Sequence, residues 1–299
     1  MDENISWERY RSFLAVMQHG SLSAAARALG STQPTLGRHV AALEKQLGLV
    51  LFTRTQGGLV ASKEAAALLP YAKQMASTAA ALNRLASSQG KVVQGVVRVT
   101  ASDIIGVEWL PPVLSRLNAQ YPRLRIELDL SDHPQDLLHR EADIAVRMFR
   151  PTQTQLIARK VGNIPLGLYA SPHYVARRGK PSRIQDLAQH ALVGYDQTTG
   201  FIRQAGKKLA VSSYDRARFA LACDSNVAQM AMIKAGLGIG FCQAPLAERY
   251  HLEPVLAEQM GLALDIWVVM HEDLKSSKGC RAVFDALAEG LAEPSDYSL

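Results

Sequence analysis

Gln33, Thr35, Arg38, His39 and Ala42 fall on one side of a helical segment whose other side carries Leu36, Val40, Leu43 and Leu47. An amide, a hydroxyl and a cation on one helix face are the groups that address base edges and phosphate oxygens. A solvated polar face is the plain alternative on charge alone. A second set has the chemistry of binding without reaction. Thr100-Ala101-Ser102 ends a strand just before a helix, and Ser225-Asn226 opens another helix. Helix starts offer unpaired N–H groups and a positive dipole end, which suit a small anionic metabolite. Ser131, Arg147 and Gln243 also end strands. Each hydroxyl is equally readable as an ordinary helix cap, and Arg147 as an internal salt-bridge partner.

Patterns that would carry catalysis are missing from the sequence: there is no G-x-S-x-G, H-E-x-x-H or P-loop. Gly236-x-Gly238-x-Gly240 follows a helix and precedes a strand, the reverse of a dinucleotide site, so it reads as a helix stop. His271-Glu272-Asp273 is no metal set, and His133, His139 and His173 lack ligand spacing. Cys223, Cys242 and Cys280 are odd in number and contain no C-x-x-C pair, which argues against a disulfide framework or zinc. No catalytic residue, metal or cofactor is expected.

Charge places the chemistry. The chain of 299 residues carries a formal charge of +6. Residues 1–90 hold nine Lys or Arg against five Asp or Glu, whereas residues 91–299 are close to balance at 24 against 22. Between Arg9 and Arg54 the sole acid is Glu44, a footprint suited to phosphates. No apolar run approaches the ~20 residues of a membrane helix. Asp2, Glu3, Glu8, Arg9 and Arg11 interrupt the stretch where a secretory signal would be continuous, so a cytoplasmic chain is expected.

The elements that must position these residues are legible in outline. Trp7 to His19 places Tyr10, Phe13, Leu14 and Met17 at helical spacing and stops at Gly20. Ser21 caps a second helix from Leu22 to Leu29, and Ser31 or Thr32 caps a third with Pro34 in its first turn. Val50-Leu51-Phe52 and Leu59-Val60, around Gln56-Gly57-Gly58, read as a hairpin bearing Arg54. Two short helices, a tight turn and a hairpin describe a winged helix-turn-helix. From Ser62 to Gln89 a long helix repeats Leu68, Ala72, Met75, Ala79, Leu82 and Ala86 at alternating spacings of four and three. That is a coiled-coil seam with Leu68, Met75 and Leu82 as dimerising residues; the alternative is packing on its own domain. Pro70 is placed to bend this helix, and Ser87 to Lys91 reads as a hinge.

Beyond the hinge, strand-like Gly95–Thr100, helical Ile104–Asn118, strand-like Leu124–Leu130, helical Gln135–Arg140 and strand-like Asp143–Arg147 imply a parallel sheet. A second such unit follows Ile157, with Arg218–Ala222, a helix from Asn226 to Ala235 and Leu237–Cys242. Leu264–Met270 and a helix near Ser277–Leu291 return to the first unit.

Phe13-Leu14-Ala15-Val16, Gly20 through Ala26, Leu29, Thr32 through Leu36, Leu43-Glu44, Leu47-Gly48 and Leu51-Phe52-x-Arg54 resemble the LysR-type transcriptional regulators over about the first seventy positions. Two residues depart from the pattern: Gly37, where that family usually has serine, and Ala65, where it usually has glycine. Asp143–Arg147, Leu168–Pro172 and Ala235–Gly240 resemble, more loosely, the effector-binding domain of the same regulators. The resemblance implies an α/β chain in three parts. These are a winged helix-turn-helix DNA-binding domain over 1–61, a dimerisation linker helix over 62–90, and a two-lobed effector-binding domain over 91–299 similar to periplasmic binding proteins. Lobe I takes about 91–161 and 267–299, and lobe II about 162–266.

The same resemblance puts Ser23, Ser31, Thr32, Gln33, Pro34, Thr35, Arg38, His39 and Arg54 at DNA. It puts Thr100, Ala101, Ser102, Ser131, Arg147, Ser225, Asn226 and Gln243 at the effector. The implied partners are double-stranded DNA and a small molecule, with room for RNA polymerase, in a homodimer or homotetramer that is not an enzyme. The competing expectation is a solute-binding module without a regulatory role.

Overall fold

A computed structural model describes residues 5–55, 58–87, 92–131, 142–151, 153, 155–197 and 219–292, in two compact units that divide at Asn83 and Arg84. In the first unit, α1 (Trp7–His19) starts at Ser6 and ends where Gly20 takes φ +70, a left-handed turn that glycine adopts without strain. α2 (Leu22–Ala28) is capped by Ser21 Oγ, which accepts from Ala24 N at 3.1 Å. For α3 (Gln33–Leu47) the cap is Thr32, not Ser31, and Pro34 falls in the first turn. Phe13, Leu14, Leu43 and Leu51 are buried together, and Val16, Ala25, Ala26, Leu36 and Val40 form a neighbouring core.

The hairpin of β1 (Phe52–Thr55) and β2 (Gly58–Ala61) begins two residues later than the apolar run Val50–Phe52 suggests, because Leu51 is drawn into the core instead. Glu44 Oε1 accepts from Leu51 N at 2.7 Å and Phe52 N at 3.1 Å, tying the hairpin to α3. α4 (Lys63–Ser87) runs on through Pro70 without interruption and includes Ser87, which the sequence assigned to the hinge. The rest of that hinge, Ser88 to Lys91, lies outside the described residues.

In the second unit one sheet has the order β10-β6-β11-β5-β3-β4, with β9 also on β6. Its strands are β3 (Gly95–Ala101), β4 (Leu124–Leu130), β5 (Ile144–Arg147), β6 (Leu156–Ala170), β9 (Gly240–Gln243), β10 (Glu253–Val255) and β11 (Leu262–His271). Only β4-β3-β5 is parallel; β11 runs antiparallel to both β5 and β6, and β9 and β10 pair antiparallel to β6. The parallel order expected for the strands at Gly95–Thr100, Leu124–Leu130 and Asp143–Arg147 is that of β3, β4 and β5, and the antiparallel pairs of β6, β9, β10 and β11 make the whole sheet mixed. β7 (Leu192–Gly194) and β8 (Phe219–Ala222) form a separate parallel pair.

β6 and β11 are long strands that pair from Leu156 opposite His271 to Leu166 opposite Leu262, with a register shift between Ile266 and Trp267. The expected helix over 104–118 is two helices, α5 (Asp103–Glu108) and α6 (Leu110–Gln120), broken at the fully buried Trp109. Pro111 and Pro112 explain the break, since neither supplies the N–H that a continuous helix needs. A Cβ on Gly106 would overlap Leu130, so glycine lets α5 lie directly against β4. The remaining helices are α7 (Pro172–Arg178), α8 (Asn226–Lys234), α9 (Ala244–Arg249) and α10 (Lys278–Gly290). The expected helix Gln135–Arg140, with His133 and His139, lies outside the described residues, as do Arg218 and the tip Gln56-Gly57.

Candidate functional site

On α3 the structure leaves Ser31, Thr32, Gln33, Pro34 and Arg38 exposed and Thr35 half-buried. Thr32 Oγ1 accepts from Thr35 N at 3.4 Å, and the two hydroxyls lie 2.8 Å apart, so this end of the helix is a fixed polar surface. Ser23, on α2, donates from its hydroxyl to Gln33 Oε1 at 2.7 Å. Arg54 is exposed on β1 opposite Leu59. Among the described residues neither Arg38 nor Arg54 has an ion-pair partner, so both guanidinium groups are free for phosphate oxygens. Arg27, at the end of α2, is also exposed and lies outside the residues singled out from the sequence.

His39 differs from expectation. It is half-buried, and its Nδ1 lies 2.8 Å from Ser12 Oγ on α1. Ser12 already donates to the Glu8 carbonyl at 2.8 Å, so its oxygen accepts from His39 Nδ1–H. The imidazole packs α3 onto α1 instead of standing on the open face with Arg38.

The seam on α4 is also redrawn. Leu68 is half-buried against the cluster of Phe13 and Leu43, and Ala72 is buried there, because the first turns of α4 cover the helix-turn-helix core. Tyr71, Met75 and Leu82 remain 67%, 39% and 58% exposed. Spacings of four and seven put all three on one stripe, and Tyr71 takes the place between Leu68 and Met75 that the expected seam gave to Ala72, one residue on.

In the second unit Thr100 and Ala101 are fully buried, while Ser102 is partly open. Arg147 is buried too and donates to Thr100 Oγ1 at 3.4 Å and to the Val146 carbonyl at 3.3 Å. It is thus an internal hydrogen-bonding group of the sheet. Ser131 N donates to the Ala101 carbonyl at 2.9 Å, which brings the ends of β3 and β4 together beside Ser102. Ser102 precedes α5 but makes no side-chain cap, and its buried Oγ has no hydrogen-bond partner among the described residues.

Ser225 Oγ caps α8 by accepting from Ala228 N at 3.4 Å, and Asn226 Oδ1 accepts from Tyr195 at 2.6 Å. α8 packs on α5, where Ile104, Ile105, Met230 and Ile233 share one core. Gln243 is buried with its Oε1 accepting from the Trp109 indole at 2.6 Å, which ties β9 to the break between α5 and α6. Glu108 Oε2 accepts from Arg249 at 3.3 Å and from Tyr250 at 2.8 Å. Burial, and then the Glu108 hydrogen bond, push the Tyr250 hydroxyl above its ordinary range. Of the eight expected effector residues, Ser102 is the one with a buried side-chain polar atom left without a hydrogen-bond partner among the described residues.

Gly236 takes φ +80 after α8 and acts as the helix stop read from the glycine run. His271 caps Asp273 N at 3.2 Å, and no group of His, Cys, Asp and Glu fit for a metal occurs among the described residues. None of the three cysteines forms a disulfide among the described residues. No helix among the described residues is long and apolar enough to cross a membrane.

With this geometry in place, comparison with known families is decisive. Residues 7–66 match the bacterial regulatory helix-turn-helix protein model of the lysR family, and residues 90–292 match the LysR substrate binding domain. The chain belongs to the LysR family. A Xanthomonas campestris HTH-type transcriptional regulator is 32% identical over 181 residues, 60% of this chain and 52% of that protein. The Neisseria meningitidis HTH-type transcriptional regulator CrgA is 30% identical over 190 residues, 64% of each chain. The matches thus span about half to two thirds of these relatives' lengths. The solved structure of CrgA aligns with TM-score 0.58 and 26% identity over 96% of this chain and 99% of that one. CbnR, solved in complex with its target DNA, aligns with TM-score 0.67 over 95% and 99% at 18% identity, a likeness of fold.

Proposed function

We propose that the chain is a DNA-binding transcription regulator that works in the cytoplasm, pairs with a second copy through α4, and answers to a small anionic metabolite held near Ser102. The observation that carries the reading is the face of α3, where Gln33 and Arg38 stand exposed, Arg38 without an ion-pair partner among the described residues, together with the exposed Arg54 of the hairpin. A recognition helix entering the major groove needs such a face, with amide and guanidinium groups for base edges and cations for phosphates. CbnR was solved with DNA bound, which supports the same use of this fold here. The exposed stripe Tyr71, Met75 and Leu82 supports pairing, since three large side chains in water on one helix are covered when two copies meet. Ser102 supports the effector assignment through its unmet buried hydroxyl.

The deciding experiment is fluorescence anisotropy of the full chain with duplexes from upstream of its own gene, against scrambled duplexes at fixed salt. Specific binding at least 1,000-fold tighter than to scrambled DNA is expected, about 4 kcal/mol. Equal affinity for both would leave only nonspecific phosphate attraction and end the proposal. A solute-binding module would need the second unit alone; the helix-turn-helix match over residues 7–66 weighs against it.

A further inference from the structure

Away from Ser102, α7 and the turn from Ala235 to Leu237 after α8 line an open pocket of about 420 Å³. One wall carries the cations of Arg177 and Arg178 beside the His173 ring; the other is apolar, with Met232 and Leu237. These two apolar side chains are 37% and 38% exposed. Gly236 joins the walls. A Cβ there would stand 3.1 Å from Ser171 Oγ and 3.3 Å from the His173 ring, and its φ of +80 suits glycine. Arg177 crosses this junction and donates to the Gly236 carbonyl at 2.8 Å, which fixes its guanidinium at the rim before any ligand arrives. Tyr174 stiffens the back wall, its hydroxyl accepting from Ala191 N at 2.9 Å and lying 3.1 Å from His190 Nδ1.

Among the described residues the positive charge here is uncompensated. Lys180 is paired with Glu253 at 2.8 Å and Arg183 with Asp186 at 3.4 Å, but neither Arg177 nor Arg178 meets a carboxylate among the described residues. Asp186 is further held by the N–H groups of Ser182 and Arg183. Burial, and then the charge of Arg178, keep His190 below the ordinary imidazole range. Guanidinium groups favour a carboxylate because their parallel N–H groups match its two oxygens. An inorganic anion would leave Met232 and Leu237 wet, and a neutral apolar molecule would leave two cations partly desolvated without a counter-charge.

We propose that this cavity is a second small-molecule site, distinct from the Ser102 region, for an amphipathic monoanion: an aromatic or short branched carboxylate. The carboxylate takes Arg177 and Arg178, and the apolar body covers Met232 and Leu237. The inference goes beyond the regulatory reading and stands on different residues.

Benzoate is the probe, titrated calorimetrically into the full chain, with benzamide as its neutral counterpart and inorganic phosphate as the bare anion. The Ser102→Trp chain closes the other candidate site. Benzoate is expected to bind that chain with one site, at least tenfold tighter than benzamide, and without displacement by equimolar phosphate. Arg177→Ala combined with Arg178→Ala should lower the affinity at least tenfold, and these exposed positions leave the fold intact. In wild type the Met232 methyl resonance, assigned through Met232→Leu, should move on saturation. Equal affinity in the arginine variant, equal binding of benzamide, a stationary Met232 methyl, or no binding at millimolar benzoate each overturns the site. Binding to wild type that Ser102→Trp abolishes would place the carboxylate at Ser102 and remove this second site alone.

Discussion

Ser23 Oγ holds Gln33 Oε1 at 2.7 Å across the turn between α2 and α3. With the carbonyl side of the amide engaged, the Gln33 Nε2 donors are turned outward, toward acceptors such as the O6 and N7 edge of guanine or N7 of adenine. Gln33→Ala is expected to reduce discrimination at one base pair by about 1 to 3 kcal/mol. Ser23→Ala frees the amide and should broaden base choice at that same position with little loss of total affinity. Arg38→Ala should weaken all sequences alike and lower the salt slope by about 1. Anisotropy titrations on single-base operator variants read all three. A Ser23→Ala protein with unaltered base preference would mean that the hydrogen bond orients nothing.

Gly37 lies inside α3, where a Cβ would meet nothing closer than Leu22 Cδ1 at 3.9 Å. The position therefore tolerates a side chain sterically, and its glycine lowers helix stability without a packing reason. Gly37→Ala should raise unfolding stability by up to about 1 kcal/mol. The midpoint in urea should rise at unchanged slope; a lower midpoint would show that the half-buried site is tighter than the 3.9 Å gap indicates.

Leu82 is 58% exposed in the single chain, on the stripe it shares with Tyr71 and Met75. If that stripe is covered by a second copy, Leu82→Glu places a carboxylate where no partner charge waits, a cost of several kcal/mol. Light scattering should report smaller assemblies, and operator affinity should fall as each monomer reaches one half-site. Leu68→Glu is expected instead to unfold the first unit, since Leu68 packs on the Phe13 and Leu43 core. An unaltered mass for Leu82→Glu would move the interface off α4.

The helix-turn-helix was legible because its determinants are local: caps at Ser21 and Thr32, left-handed glycines at Gly20 and Gly48, and an apolar period within each helix. The central strand β6 was not, since Leu156–Ala170 contains Gly162, Asn163, Pro165 and Gly167, residues that locally argue against a strand. Pairing with β11 along ten residues overrides them, and no local window contains that information. The same holds at the site. Periodicity put His39 on the open face, but it could not know that Ser12 would face it from α1. Strand ends located Thr100, Arg147 and Gln243 correctly as terminal residues, yet their side chains turned inward to each other or to Trp109.

Cys242 is buried beside Met230, and that burial, followed by the charge of Glu108, pushes its thiol up to about 12. The unfolded chain loses this proton near 9 and the folded chain keeps it, so the folded state binds more protons between those values. Stability therefore falls as pH rises from 9 toward 12, by up to about 1.4 kcal/mol per unit. Denaturant titrations at pH 8 and 10 should show this decline in wild type and a smaller one in Cys242→Ala. Identical declines would assign the loss to other groups. The folded protein should also resist alkylation at Cys242 at pH 8, because the thiolate is the nucleophile.

Ser102 Oγ is buried without a hydrogen-bond partner among the described residues at the start of α5, and α5 in turn packs on α8 and is fixed at its far end by Glu108 to Arg249 and Tyr250. An unmet buried hydroxyl costs about 1 to 3 kcal/mol, which a ligand oxygen at that place would relieve. Such a ligand changes DNA affinity only by its unequal affinity for the competing arrangements of the regulator, typically 1 to 3 kcal/mol. Ser102→Ala is expected to raise ligand-free stability slightly and to weaken a cognate carboxylate about tenfold. Ser102→Trp fills the space and should abolish the ligand-dependent change in DNA binding while ligand-free DNA affinity stays within about twofold. Thermal shift against a panel of small carboxylates identifies the ligand first, since saturation at 100 times the dissociation constant adds about 2.7 kcal/mol of apparent stability. A ligand that shifts DNA affinity in Ser102→Trp as strongly as in wild type, or a cation that proves to be the effector, removes Ser102 from the binding site.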